Sequence, residues 1–89
     1  MANFLGGSAY AMARDIAEGF SVVTERTFKP MAPPEMDQLA FEIDRHLREI
    51  RGEQPSAEDL VNIKIRNRKI QRLTTAMMLM RAFRAKARR

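Results

Sequence analysis

The chain has no cysteine, no tryptophan and only one histidine. Without cysteine, nothing covalent braces its 89 residues, and a thiolate zinc site is excluded. The lone His46 excludes a histidine-rich metal centre, and the sequence pairs no nucleophile with it. Cysteine-free chains fit a reducing compartment, so a cytoplasmic location is expected. No stretch reaches the roughly 18 consecutive apolar residues of a membrane span. The longest strong run is Ala76-Met77-Met78-Leu79-Met80. Met1 to Ala13 lack the positive charge that opens a secretory signal, and Gly6-Gly7-Ser8 interrupts their apolar character. Gly6-Gly7 also lacks the Lys-Ser/Thr of a phosphate loop. Glu42 and Asp44 would point in different directions around a helix, so they do not converge on a substrate. These absences point away from an enzyme, and no cofactor, metal or small-molecule substrate is expected.

Acidic residues are missing altogether after Asp59. Residues 1–59 hold 6 Lys+Arg against 11 Asp+Glu, whereas residues 60–89 hold 10 Lys+Arg and no acid. The net charge of +5 therefore hides two halves of opposite sign. Such asymmetry suits a polyanion, an acidic lipid surface or an acidic protein, unless one half neutralises the other.

What remains is helical periodicity, in a chain long enough for one small domain. Residues 1–7 read as a flexible lead. Ser8 is a helix cap, and Ala9, Ala13, Ile16, Phe20 and Val23 follow at steps of four and three, which predicts an amphipathic helix over about 8–28. Gly19 costs that helix about 1 kcal/mol relative to alanine, and Phe20 to Thr24 is β-prone. Residues 30–34, with three prolines, form an extended linker. Pro33 or Pro34 then suits the first turn of a second helix, about 34–51, with Met36, Ala40, Ile43, Leu47 and Ile50 along a coiled-coil-like seam. Gly52 ends it. Ser56 caps a third helix, about 57–86, with Asp59 at its third position. The predicted fold is all-α: an antiparallel helical hairpin plus an N-terminal amphipathic helix, three helices in all. By segment this gives an N-terminal helix in 1–29, a proline linker, and a hairpin with a basic C-terminal overhang in 35–89.

A turn near Glu53-Gln54 sets Leu47 opposite Leu60, Ala40 opposite Asn67 and Met36 opposite Ile70, in a register where the two apolar seams meet. Asn67 is then expected at the exposed edge of the seam. Glu42, Asp44 and Glu49 come within reach of Lys64, Arg66, Arg68 and Lys69. The second helix spans about 25 Å and the third about 45 Å, so the end of the third overhangs from about Leu73. Leu73, Ala76, Met77, Leu79, Met80 and Phe83 then form an apolar arc that something must cover: the first helix folding back, a second copy, or another protein. Beside it Arg81, Arg84, Lys86, Arg88 and Arg89 have no acidic partner on the same or the facing helix. Seven methionines read either as core filling or as an adaptable docking surface.

Leu39-Ala40-Phe41-Glu42-Ile43-Asp44 with Leu47, then Asp59-Leu60, Ile65 and Arg68-Lys69-Ile70, resemble the YdcH-like family of short bacterial helical hairpins. The resemblance covers about residues 39–73 and implies two antiparallel helices with a lysine-rich second one. The proline linker, the first helix and the methionine-rich end depart from it.

The leading functional expectation is a small, non-enzymatic interaction subunit or adaptor. It would dock on a larger assembly, or on itself, through Leu73, Met77, Leu79, Met80 and Phe83. The alternatives are a nucleic-acid-binding accessory protein using the basic helix, and attachment to an anionic membrane surface. Scattered aromatics and the lack of zinc-finger or helix-turn-helix spacing weigh against nucleic acid.

Overall fold

Ser8 starts the first helix as its spacing predicts: its Oγ accepts the Ala11 N–H at 3.0 Å. In the computed structural model, which describes Phe4 and residues 7–87, four helices follow in order. They are α1 (Ala9–Glu18), α2 (Glu25–Phe28), α3 (Pro33–Gly52) and α4 (Leu60–Ala87). No strand occurs among the described residues. Most of the expected lead, residues 1–3, 5 and 6, lies outside them. Phe4 packs against the core.

The single helix expected over 8–28 is two helices, because Gly19 ends the first. Gly19 adopts φ 83°, the left-handed region open to glycine. Its N–H donates to the Ile16 carbonyl at 3.2 Å, and the Phe20 N–H donates to the Asp15 carbonyl at 2.8 Å. That pair of bonds closes the helix end. Phe20, placed by periodicity on the buried face, is 79% exposed as a result. Residues 21–24 are an irregular link, and the four-residue α2 follows. Gly19→Ala is expected to lower stability by about 1–2 kcal/mol in urea unfolding, from the left-handed backbone alone. The added methyl would also stand 3.0 Å from the Arg72 guanidinium carbon. An unchanged urea midpoint would contradict this helix end.

α3 matches its expected bounds to within a residue. Pro33 and Pro34 occupy its first turn, and the Glu35 Oε1 accepts the Ala32 N–H at 2.8 Å. Its apolar seam is buried at Met36, Leu39, Ile43 and Leu47. Met31, in the expected proline linker, is also buried, so that segment contributes to the core rather than only spacing helices.

α4 begins three residues later than the sequence suggested. Ser56 closes a turn, accepting the Asp59 N–H on its carbonyl at 2.9 Å. The Asp59 carboxylate is the actual cap: it accepts the Asn62 N–H at 3.2 Å and the Asn62 side-chain amide at 2.6 Å. The hairpin register also differs. Asp37 pairs with Arg84 at 2.6 Å, and Ala40 shares a surface cleft with Met77 and Met80 instead of facing Asn67. The slip is about three turns. Asn67 is exposed. The shift brings Leu73, Ala76 and Met80 against α1 and α3 together, and a three-sided contact removes more apolar area from water than a two-helix seam does.

One core results. Met12, Ile16, Phe28, Leu39, Ile43 and Leu73 are among its buried members, drawn from all four helices. The expected three-part division of the chain thus shares a single interior. At about 42 Å, α4 sets the long axis of a body 47 × 26 × 19 Å.

Candidate functional site

The arc expected to overhang is instead covered by the chain itself. Leu73, Ala76 and Met80 are buried, and Met77, Leu79 and Phe83 are half-buried against the core. The Phe28 ring stands 6.0 Å from that of Phe83, so α2 lies over the far end of α4. Folding back of the N-terminal segment, one of the three coverings the sequence allows, removes the overhang. The methionines follow: Met12, Met31, Met36 and Met80 fill core, while Met78 is 64% exposed.

The charges near the end of α4 are corrected in the same way. Arg84 reaches Asp37, and Lys86 reaches Glu25 on α2 at 3.0 Å. The acids came from elements that the expected register had placed elsewhere. Arg81 is exposed and pairs with no acid among the described residues. Arg88 and Arg89 lie outside the described residues.

Nor do the expected ion pairs between α3 and the first half of α4 form. Glu42 and Glu49 pair with Arg45 at 3.3 and 3.5 Å, and Asp44 with Arg48 at 2.8 Å, all within α3. The bases of α4 do other work. Arg66 donates through Nε to the carbonyls of Ile50 at 3.2 Å and Glu53 at 3.0 Å, covering the open C-terminal end of α3. Arg72 donates through Nη1 to the Ala17 carbonyl at 3.0 Å, and Lys69 pairs with Glu18 at 3.0 Å, both at the end of α1. Lys64 and Arg68 have no acidic partner among the described residues.

The uncovered side chains now fall elsewhere. Leu60, Val61 and Ile65, in the first turns of α4, are 65%, 69% and 45% exposed. Val61, Ile65, Arg68, Arg72, Thr75 and Leu79 recur at steps of four and three, so they share one strip of the helix. Beside the far part of this strip runs an open groove of about 450 Å³, walled by Ile16, Val22 and Val23 and floored by Ala76 and Leu79. Val22 on its rim is 82% exposed. No carboxylate lines the groove. α1 stops at Gly19, and the link that follows, through Ser21, Val22 and Val23, runs beside the strip and leaves the groove between them open. No family model, curated protein or solved structure matches this chain.

In chemical terms the strip has apolar ends and a basic middle. Among the described residues, no three His, Asp or Glu side chains gather as metal ligands. His46 donates one bond from Nδ1 to the Glu42 carbonyl at 2.8 Å, and its ring lies 5.2 Å from that of Tyr10. It serves packing between α1 and α3. Arg68 was expected to pair with the acids of α3 and Ile65 only to complete a hairpin motif, and Val61 and Arg72 carried no expected role, because the register from sequence set this stretch against α3. Their four-three spacing was legible, but so was a competing stripe through Leu73 and Met80.

Proposed function

We propose that this protein is a small helical interaction module that docks another protein along the exposed strip of α4. The observation that carries the reading is the clustering of Leu60, Val61 and Ile65, all substantially exposed, within two turns of one helix. Isolated exposed apolar residues are ordinary on any surface, but a contiguous group flanked by polar ones marks an interaction site. Phe41 is also exposed, yet it stands beside Glu42 and Arg45, which pair within α3, and Tyr10 is half covered by the His46 ring.

The proposed docking surface runs from Val61 to Leu79 and keeps, of the residues expected at the end of α4, only Leu79. A photoreactive residue at position 61, introduced in native cells, is expected to yield a discrete protein adduct that resists nuclease. The same probe at position 29, exposed in the turn after α2, should yield none. An adduct from position 61 that vanishes on nuclease treatment would replace this reading with nucleic-acid binding.

A further inference from the structure

We infer that the occupant of the strip is an acidic amphipathic helix, one whose apolar face is interrupted near its middle by carboxylates set against Arg68 and Arg72. This rests on the docking reading above and names the partner's chemistry. From Val61 to Leu79 the strip is about 27 Å long, enough to seat five turns of a helix. Its order along α4 is apolar, basic, apolar: Val61 and Ile65, then Arg68 and Arg72, then Leu79 with Val22 beside it.

The basic middle discriminates among occupants. Arg72 spends one nitrogen on the Ala17 carbonyl, which fixes the guanidinium over the end of α1. Its other donors have no partner among the described residues, and neither does Arg68. A wholly apolar helix laid here would strip water from both guanidinium groups and return nothing. A second copy of this chain, docked strip to strip about a two-fold axis, would set arginines against arginines at the centre of the contact. Nucleic acid phosphates would satisfy Arg68 and Arg72 but leave Val61, Ile65, Val22 and Leu79 facing a polar backbone. Carboxylates on a helix with hydrocarbon above and below them satisfy the whole strip.

The test uses the full chain and three labelled probes read by fluorescence anisotropy. One is a designed helical peptide of roughly 20 residues with leucines on one face and two glutamates at its centre. The second replaces those glutamates with glutamine, and the third is a DNA duplex of similar length. The glutamate peptide should bind at least about tenfold tighter than the glutamine peptide, with the gap narrowing as salt rises. Arg68→Glu should abolish that preference, and a peptide carrying central lysines should bind this variant in its place. Arg68 is exposed and makes no contact the fold needs, so the variant should retain its helical circular dichroism.

Equal binding of the glutamate and glutamine peptides would overturn the inference while leaving the docking reading standing, provided Val61→Asp with Ile65→Asp removes both. Glutamate-peptide binding that survives that double change would overturn the docking reading instead. Tighter binding to the duplex than to the glutamate peptide, or no binding of either peptide, would overturn the inference, and the adduct from position 61 then decides the docking reading separately.

Discussion

Leu73→Ala is expected to leave the chain largely unfolded at room temperature. Leu73 is fully buried where α4 meets the rest of the core. Truncating such a leucine removes its transfer free energy and leaves a cavity, together about 2–5 kcal/mol. A cysteine-free chain of 89 residues has a total stability of about 4–5 kcal/mol to lose at the lower end of the usual range. The check is urea unfolding followed by circular dichroism, with Leu60→Ala as the paired control. Leu60 is 65% exposed, so its truncation should shift the midpoint little. The reverse outcome, a tolerated change at 73 and a damaging one at 60, would restore the register read from sequence and place the overhang back at the end of α4.

Phe28→Ala should come close behind, at about 3–5 kcal/mol. Its ring is fully buried and supplies nearly all that a four-residue helix can contribute to packing. α2 is too short to persist alone, since one turn of helix does not repay its own nucleation. Losing Phe28 therefore means losing α2 as a unit, with its ring contact to Phe83 and its ion pair from Glu25 to Lys86. That pair is exposed and by itself contributes about 0–1 kcal/mol. A fall in melting temperature of roughly 12–40 °C is expected, with faster tryptic cleavage after Arg26. A variant whose melting is unchanged would show that α2 does not hold the end of α4.

Local signals in this sequence were legible wherever one residue type settles the backbone. Paired prolines opened α3 and Ser8 opened α1, whereas Gly52, expected to stop α3, is its last helical residue and Glu53 caps it. Gly19 was misread because one glycine inside a helical pattern can be absorbed at about 1 kcal/mol. What ended α1 there was the combination of a left-handed backbone with a guanidinium from α4 seated against it, and Arg72 is far away in sequence. The register failed for a related reason. Two long helices with apolar residues every three or four positions fit together in several offsets. The register about a Glu53-Gln54 turn satisfies both seams only while the N-terminal segment is ignored. Adding α1 and α2 makes Leu73 and Met80 worth more inside than Leu60 and Val61. The candidate surface inherits this: the strip was visible as spacing, but its exposure depended on where α1 stopped.

The arginines that cover the ends of α1 and α3 both belong to α4, the last of the four helices to leave the ribosome. Until Arg66 and Arg72 emerge, neither earlier helix has its terminal carbonyls covered by them. Lys86 must meet Glu25 across 61 positions of sequence. α1 and α3 pack on each other ahead of α4, but their carbonyl ends stay open until it emerges, so the nascent chain reaches this structure only once α4 has left the ribosome. During that interval the methionines and leucines of α1 and α3 are open to whatever else is being made nearby. A helper protein, or a partner translated at the same time, would have its best opportunity then.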